Sequence, residues 1–166
     1  MSRLTDFYRG TAPDARGRTL AGLWAFSDRE MESVHDFIQW TFPLREPSGY
    51  NPDAPLVTDA DVAEFRADPA LQESLGRSFG CFLAFLGLDY REGQVVEAAD
   101  FFRKRDVWAR PNHNWLRITR VLASTRMLGL EAESRAFFAC LKSRRDREPA
   151  IDPTTFRYWE RAASPD

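Results

Sequence analysis

Among 166 residues there are only two cysteines and two histidines, and each shortage removes a class of protein. Cys81 and Cys140 are too few for a disulfide framework; both fall within apolar helical patterns and read as small buried hydrophobes. No apolar run approaches the roughly 18 residues that a bilayer-spanning helix requires. The opening Met1-Ser2-Arg3-Leu4-Thr5-Asp6 lacks the apolar centre of a secretion signal, so a cytoplasmic location is expected. A zinc site built from His35, His113, Cys81 and Cys140 has none of the usual ligand spacings, and neither metal nor cofactor is expected. His35 precedes Asp36 in a stretch that reads as helix, where neighbours point about 100° apart and do not make a base with its orienter. Gly-x-Ser-x-Gly, the phosphate-cradling Walker loop and the dinucleotide fingerprint are all missing. That removes the common enzyme classes, although carboxylate and arginine sites leave weaker traces. Sustained alternation of period two is absent too, as is any repeat of fixed length.

What remains is 43% hydrophobic and 13% aromatic, enough to bury a core in one domain. The expected fold is all-α: a single-domain bundle of about six to eight helices, with a core over residues 6–141 and a last helix near 153–163. Its organising element is His113-Asn114-Trp115-Leu116-Arg117-Ile118-Thr119-Arg120-Val121-Leu122, continuing to Leu128. On a helical wheel Trp115, Leu116, Ile118, Val121, Leu122, Ala123, Met127 and Leu128 cover most of the circumference. Only Arg117, Arg120 and Ser124 form a polar strip, and a helix so apolar belongs inside a bundle. Asn112 or Asn114 caps its start, and Gly129 ends it in the left-handed conformation.

Before this element, Thr19 to Trp24 reads as a short helix, and Ser27-Asp28-Arg29-Glu30 as a capping box opening a helix through Phe42. Met31, Val34, Ile38 and Phe42 form that helix's apolar stripe, leaving Trp40 on the opposite side and in need of cover. Pro43, Pro47, Pro52 and Pro55 make the next fifteen or so residues a long irregular loop, in which Tyr50 and Leu56 are the candidates to pack on Trp40. Thr58 caps a short helix, and Asp68-Pro69 opens one running to about Leu86, where Gly76 and Gly80 suggest a close helix approach. A turn at 89–93 leads to an amphipathic helix bearing Val95, Ala98, Ala99 and Phe102. Ala136, Phe137, Cys140 and Leu141 mark the helix after Gly129, and Asp152-Pro153 opens the last one.

Charge is unevenly distributed. Residues 1–100 carry 9 Lys and Arg against 17 Asp and Glu, and residues 101–147 carry 12 against 4. The plainer reading is mutual neutralisation; the sharper one is a basic face for phosphate, nucleic acid or an acidic partner, built on Arg103-Lys104-Arg105 and on Lys142, Arg144, Arg145 and Arg147. Arg126 and Thr119 interrupt the apolar arc of the central helix. An arginine there either pairs with a buried carboxylate or lines a pocket, where its forked donors hold a carboxylate or phosphate.

Three segments taken together resemble one family. His35-Asp36-Phe37-Ile38-Gln39-Trp40-Thr41-Phe42-Pro43-Leu44, then Asn51-Pro52-Asp53-Ala54-Pro55-Leu56, then His113 to Arg120 with Leu128-Gly129-Leu130-Glu131, occur in the order found in the conserved domain of the opioid growth factor receptor family. The chain lacks the long repeat-bearing tail of the animal receptors and looks like a stand-alone, bacterial-type member. The resemblance implies an all-helical domain and, in animals, binding of an enkephalin peptide in a growth-inhibiting pathway with nuclear or perinuclear location. That opioid function is not carried over to a minimal domain. The resemblance supplies no catalytic residues, and His35, Gln39, Trp40, His113, Asn114, Arg117 and Arg120 transfer only as positions of the family pattern.

If the loop folds back over Trp40 and the start of the central helix, then His35, Gln39, Trp40, Asn51, His113 and Asn114 surround one cleft, with Arg117, Arg120 and Arg126 as candidate ligand-binding arginines. The alternative is a polar lock, in which these side chains satisfy loop backbone groups. The leading expectation is a non-enzymatic interaction domain for a peptide or protein partner. A small-molecule or anion-binding protein or enzyme using Arg126, Arg117 and His113 is the alternative, and nucleic-acid binding through residues 101–147 the third.

Overall fold

The computed structural model describes residues 2–165. Among them are eleven helices and one two-stranded hairpin, divided into two compact units, residues 2–78 and 79–165. The division falls inside α6 (Pro69–Phe85), which Asp68 precedes and Gly87, with φ +78°, follows.

In the first unit the helices are short, and four of them begin at side-chain caps. Ser2 and Thr5 form a capping box for α1 (Arg3–Tyr8), Thr19 caps α2 (Leu20–Trp24), Ser27 and Glu30 box α3 (Asp28–Ser33), and Thr58 and Asp61 box α5 (Asp59–Ala67). The helix expected from Ser27 through Phe42 is broken. Val34 turns extended (φ −90°, ψ 123°), and the chain resumes as the single turn α4 (Ile38–Thr41). Side chains from elsewhere claim the backbone there, since the Asp36 carbonyl accepts from Asn51 Nδ2 at 2.7 Å and from Arg18 at 3.4 Å. That kink turns Trp40 inward, to 1% exposure. Its cover is α1, with Phe7 edge-on at 5.2 Å and the Arg3 guanidinium 5.0 Å over the ring. Tyr50, expected to pack on Trp40, is instead 81% exposed, and Leu56 is exposed as well. Tyr8 completes this core, edge-on to Phe65 at 4.9 Å with its hydroxyl donating to the Thr41 carbonyl. Arg9 clasps Glu64 and Asp68, each at 2.6 Å.

In the second unit the expectation of an all-α chain needs one correction. Residues 88–97, read as a turn and the start of a helix, form the antiparallel hairpin β1 (Leu88–Arg91) and β2 (Gln94–Glu97), paired from Leu88↔Glu97 to Arg91↔Gln94. Glu92 (φ 50°) and Gly93 (φ 78°) both take the positive φ of a two-residue hairpin loop. Four-residue strands are too short for alternation to announce them. The following helix is reduced to α7 (Phe101–Lys104) and α8 (Asp106–Ala109), and Phe102 faces water.

The element at 113–128 is α9 (His113–Met127), capped by Asn112, and it lies in the interior of this unit. Ile118, Val121 and Leu122 are fully buried against α10 (Glu131–Arg145) and α11 (Pro153–Ala163). Trp159 packs edge-on to Trp115 at 5.9 Å and donates its indole N–H to the Trp115 carbonyl, while Ser134 donates to the Leu122 carbonyl at 2.9 Å. Its faces differ from the wheel reading: Leu116 is 66% exposed, whereas Arg117 and Ser124 of the supposed outer strip are buried. Gly76 and Gly80 do not serve a close approach, since a Cβ at either would meet nothing within 4 Å. Cys81 and Cys140 form no disulfide and are half-buried, and among the described residues no helix is long and apolar enough to cross a membrane.

Candidate functional site

The first unit holds a cavity of about 310 Å³ beneath the proline-rich loop, lined by Ala15, Arg16, Arg18, Asp36, Trp40, Tyr50, Asn51, Pro52 and Asp53. Its wall is set by Asp14. One carboxylate oxygen accepts from the Arg16 and Arg18 backbone N–H groups at 2.9 Å each, bending the chain through Gly17 (φ 78°), and the other accepts from Arg18 Nε at 2.6 Å. Arg18 then reaches Asp36 with an Nη at 2.7 Å. Arg16 approaches the second Asp36 oxygen through Nε at 3.1 Å, with its side chain 73% exposed. Burial pushes the Asp36 carboxyl upward, but the hydrogen bonds and charges of Arg18 and Arg16 outweigh it and leave the pKa below the usual carboxylate range.

The loop is anchored from inside. Ser48 and Asn51 close a tight turn in which Tyr50 N–H donates to Ser48 Oγ at 3.2 Å, and Asn51 Nδ2 bonds the Asp36 carbonyl. Gln39 stands behind the turn, its Nε2 3.5 Å from Ser48 Oγ and its Oε1 buried without a partner. Tyr50 is therefore displayed at the apex of an anchored turn, over a cavity whose floor includes Trp40.

Of the positions anticipated from sequence, Trp40 and Asn51 line this cavity, Gln39 supports it, and His35 lies exposed at the bend before Asp36. His113, Asn114, Arg117, Arg120 and Arg126 belong to the second unit. There Arg117 Nη donates to Asn114 Oδ1 at 3.2 Å, both side chains buried; Arg126 Nε donates to the Ala162 carbonyl at 3.0 Å, tying α9 to α11; His113 opens α9; and Arg120 is half-buried.

Arg16, Arg18, Asp36 and Tyr50 were missed as site residues. The available signal was Asp14-Ala15-Arg16-Gly17-Arg18, an aspartate two and four residues before arginines with a glycine between, which is the pattern of a side-chain-capped turn. Arg144 was misjudged in the other direction. Read as part of a basic run, it is buried between Phe101 (4.0 Å) and Trp108 (5.1 Å) and paired with Glu97 and with Glu148 at 3.1 Å. Among the described residues, no three His, Cys, Asp or Glu side chains gather as a metal-ligand set.

Residues 12–144 match the family model described as the opioid growth factor receptor (OGFr) conserved region. Among curated proteins, the chain is 38% identical over 111 residues to the human opioid growth factor receptor, covering 65% of this chain and 16% of that one. Over 104 residues it is 39% identical to the mouse receptor, covering 61% and 16%. Opioid growth factor receptor-like protein 1 of mouse is 32% identical over 111 residues, covering 66% and 24%. The chain thus spans a quarter or less of these relatives. No solved structure matches.

Proposed function

For a chain that belongs to the opioid growth factor receptor conserved-region family, we propose that it is a non-catalytic recognition domain, taking a peptide or an extended segment of a protein partner into the cavity under the proline-rich loop. The observation that carries this reading is the display of Tyr50. A large aromatic side chain presented to solvent by a turn that three side chains hold in place is pre-organised for contact, and exposed aromatics over a concave, partly apolar floor are typical anchors of recognition. The volume of about 310 Å³ falls at the small end of ligand sites, the size for one or two side chains of a partner. The receptor-named relatives give the reading a precedent of class only, since the matched region is a small part of each.

Selection of a random-peptide library on the immobilised full chain tests it. The expected result is a convergent sequence that binds the wild type and loses binding to Tyr50→Ala, a substitution at a side chain too exposed to affect folding. Failure of any sequence to converge, or a selected peptide indifferent to Tyr50→Ala, overturns the proposal.

A further inference from the structure

We infer that the cavity recognises a carboxylate of its peptide, and that Arg16 is the residue that holds it; this rests on the recognition reading above. The two arginines of the wall are in different states. Arg18 is spent: Nε is on Asp14, one Nη on Asp36 and the other on the Asp36 carbonyl. Arg16 touches Asp36 through Nε alone, at 3.1 Å; its two Nη groups have no partner among the described residues, and the residue is part of the cavity lining. A guanidinium has two edges that fit a carboxylate, one through Nε and one through the paired Nη groups. Anchoring the Nε edge on Asp36 restrains the rotation of the long side chain and leaves the Nη edge as an oriented, unfilled fork. Asp14 and Asp36 together balance the charges of Arg16 and Arg18, so the fork acts through the geometry of its hydrogen bonds and not through a net positive charge.

The neighbouring groups complete the recognition chemistry. Asn51 uses its Nδ2 on the Asp36 carbonyl, which leaves its Oδ1 to accept a peptide N–H. The ring of Tyr50 supplies apolar cover for the residue next to the carboxylate. Asp53, exposed on the same lining, opposes acidic groups beyond the one that the Arg16 fork takes. The ligand class is therefore a peptide bearing one carboxylate, either an Asp or Glu side chain or the chain's own C-terminus.

The test uses the peptide selected on the full chain, resynthesised in three forms: amidated with one acidic side chain, free at the C-terminus without one, and amidated and neutral. Binding is measured by fluorescence anisotropy. At least one carboxylate form should bind about tenfold to a hundredfold more tightly than the neutral form, as expected for hydrogen bonds to a charged group. Which form does so identifies the source of the carboxylate. Arg16→Gln should erase the difference and Arg16→Lys keep part of it, with unfolding temperatures unchanged because Arg18 still holds Asp36. Equal binding of all three forms, or a preference that survives Arg16→Gln, overturns the inference. If the neutral form binds and Tyr50→Ala abolishes that binding, the recognition reading survives without its carboxylate; if no form binds, both fall.

Discussion

In residues 79–165, helices of 15, 15 and 11 residues bring Ile118, Leu122, Phe137 and Trp159 into one apolar interior, whereas in residues 2–78 no helix before α6 exceeds nine residues. The second unit is specified mainly by apolar periodicity. The first depends on side chains that bond to backbone: four capped or boxed helix starts, the Asp14 turn, and Asn51 on the Asp36 carbonyl. Short helices cannot nucleate on propensity alone, so the polar fasteners decide where each begins and stops. A unit built this way leaves irregular backbone between its helices, and its cavity lies there.

Mutations of graded severity sharpen that contrast. The largest effect belongs to the apolar interior: Leu122→Ala should lower the free energy of urea unfolding by about 3 kcal/mol. Leu116→Ala, six residues away on the same helix, should stay within about 0.5 kcal/mol. Similar losses for both would mean that α9 is not embedded as described. Arg144→Ala should cost a similar amount, about 3 kcal/mol, because it removes a guanidinium from between two rings and strands its carboxylates. Its neighbour Arg145, exposed against Phe156 at 4.4 Å, should cost no more than about 1 kcal/mol when truncated.

In the first unit Arg18→Ala should cost about 2 kcal/mol by leaving buried Asp14 without its cation, and the same variant sharpens a pH prediction. Asp36 has a folded-state pKa below its ordinary 3.8, so its contribution to stability is present above that value and is lost as pH falls through the folded one. Urea midpoints of the wild type should therefore drop as the pH falls below the ordinary 3.8 of Asp36, and those of Arg18→Ala should drop less. Parallel acid profiles would show that the Asp36 pair contributes nothing. The smallest effect is that of Tyr50→Ala on stability, within about 0.5 kcal/mol; a larger loss would make Tyr50 a packing residue and end its candidacy as a contact.

The difference between the units also governs what could be read in advance. The α9 helix and its Asn112 cap, the Ser27–Glu30 box, the Thr58 cap and the Asp152-Pro153 start were legible because each is local: a period of 3.6 or a cap within four residues. The break at Val34 was hidden because its cause is remote, the Asn51 and Arg18 side chains claiming the Asp36 carbonyl. Arg117 on the wheel and Arg144 in its basic run were misread for a related reason. Charge predicts a solvated face, yet Asn114 in one case, and Phe101, Trp108 and Glu97 in the other, provide partners that a wheel does not show. Trp40 and Asn51 were found through the family pattern, whereas Arg16 and Tyr50 lie outside the quoted motifs and emerge only once the loop is placed.

Chemical-shift mapping of the ¹⁵N-labelled chain during titration with its selected peptide tests the central claim most directly. The account predicts perturbations concentrated at residues 15–18, 36–40 and 48–53, saturating with one peptide per chain. Shifts confined to residues 101–111, or no shifts at concentrations where the peptide is bound, would contradict it.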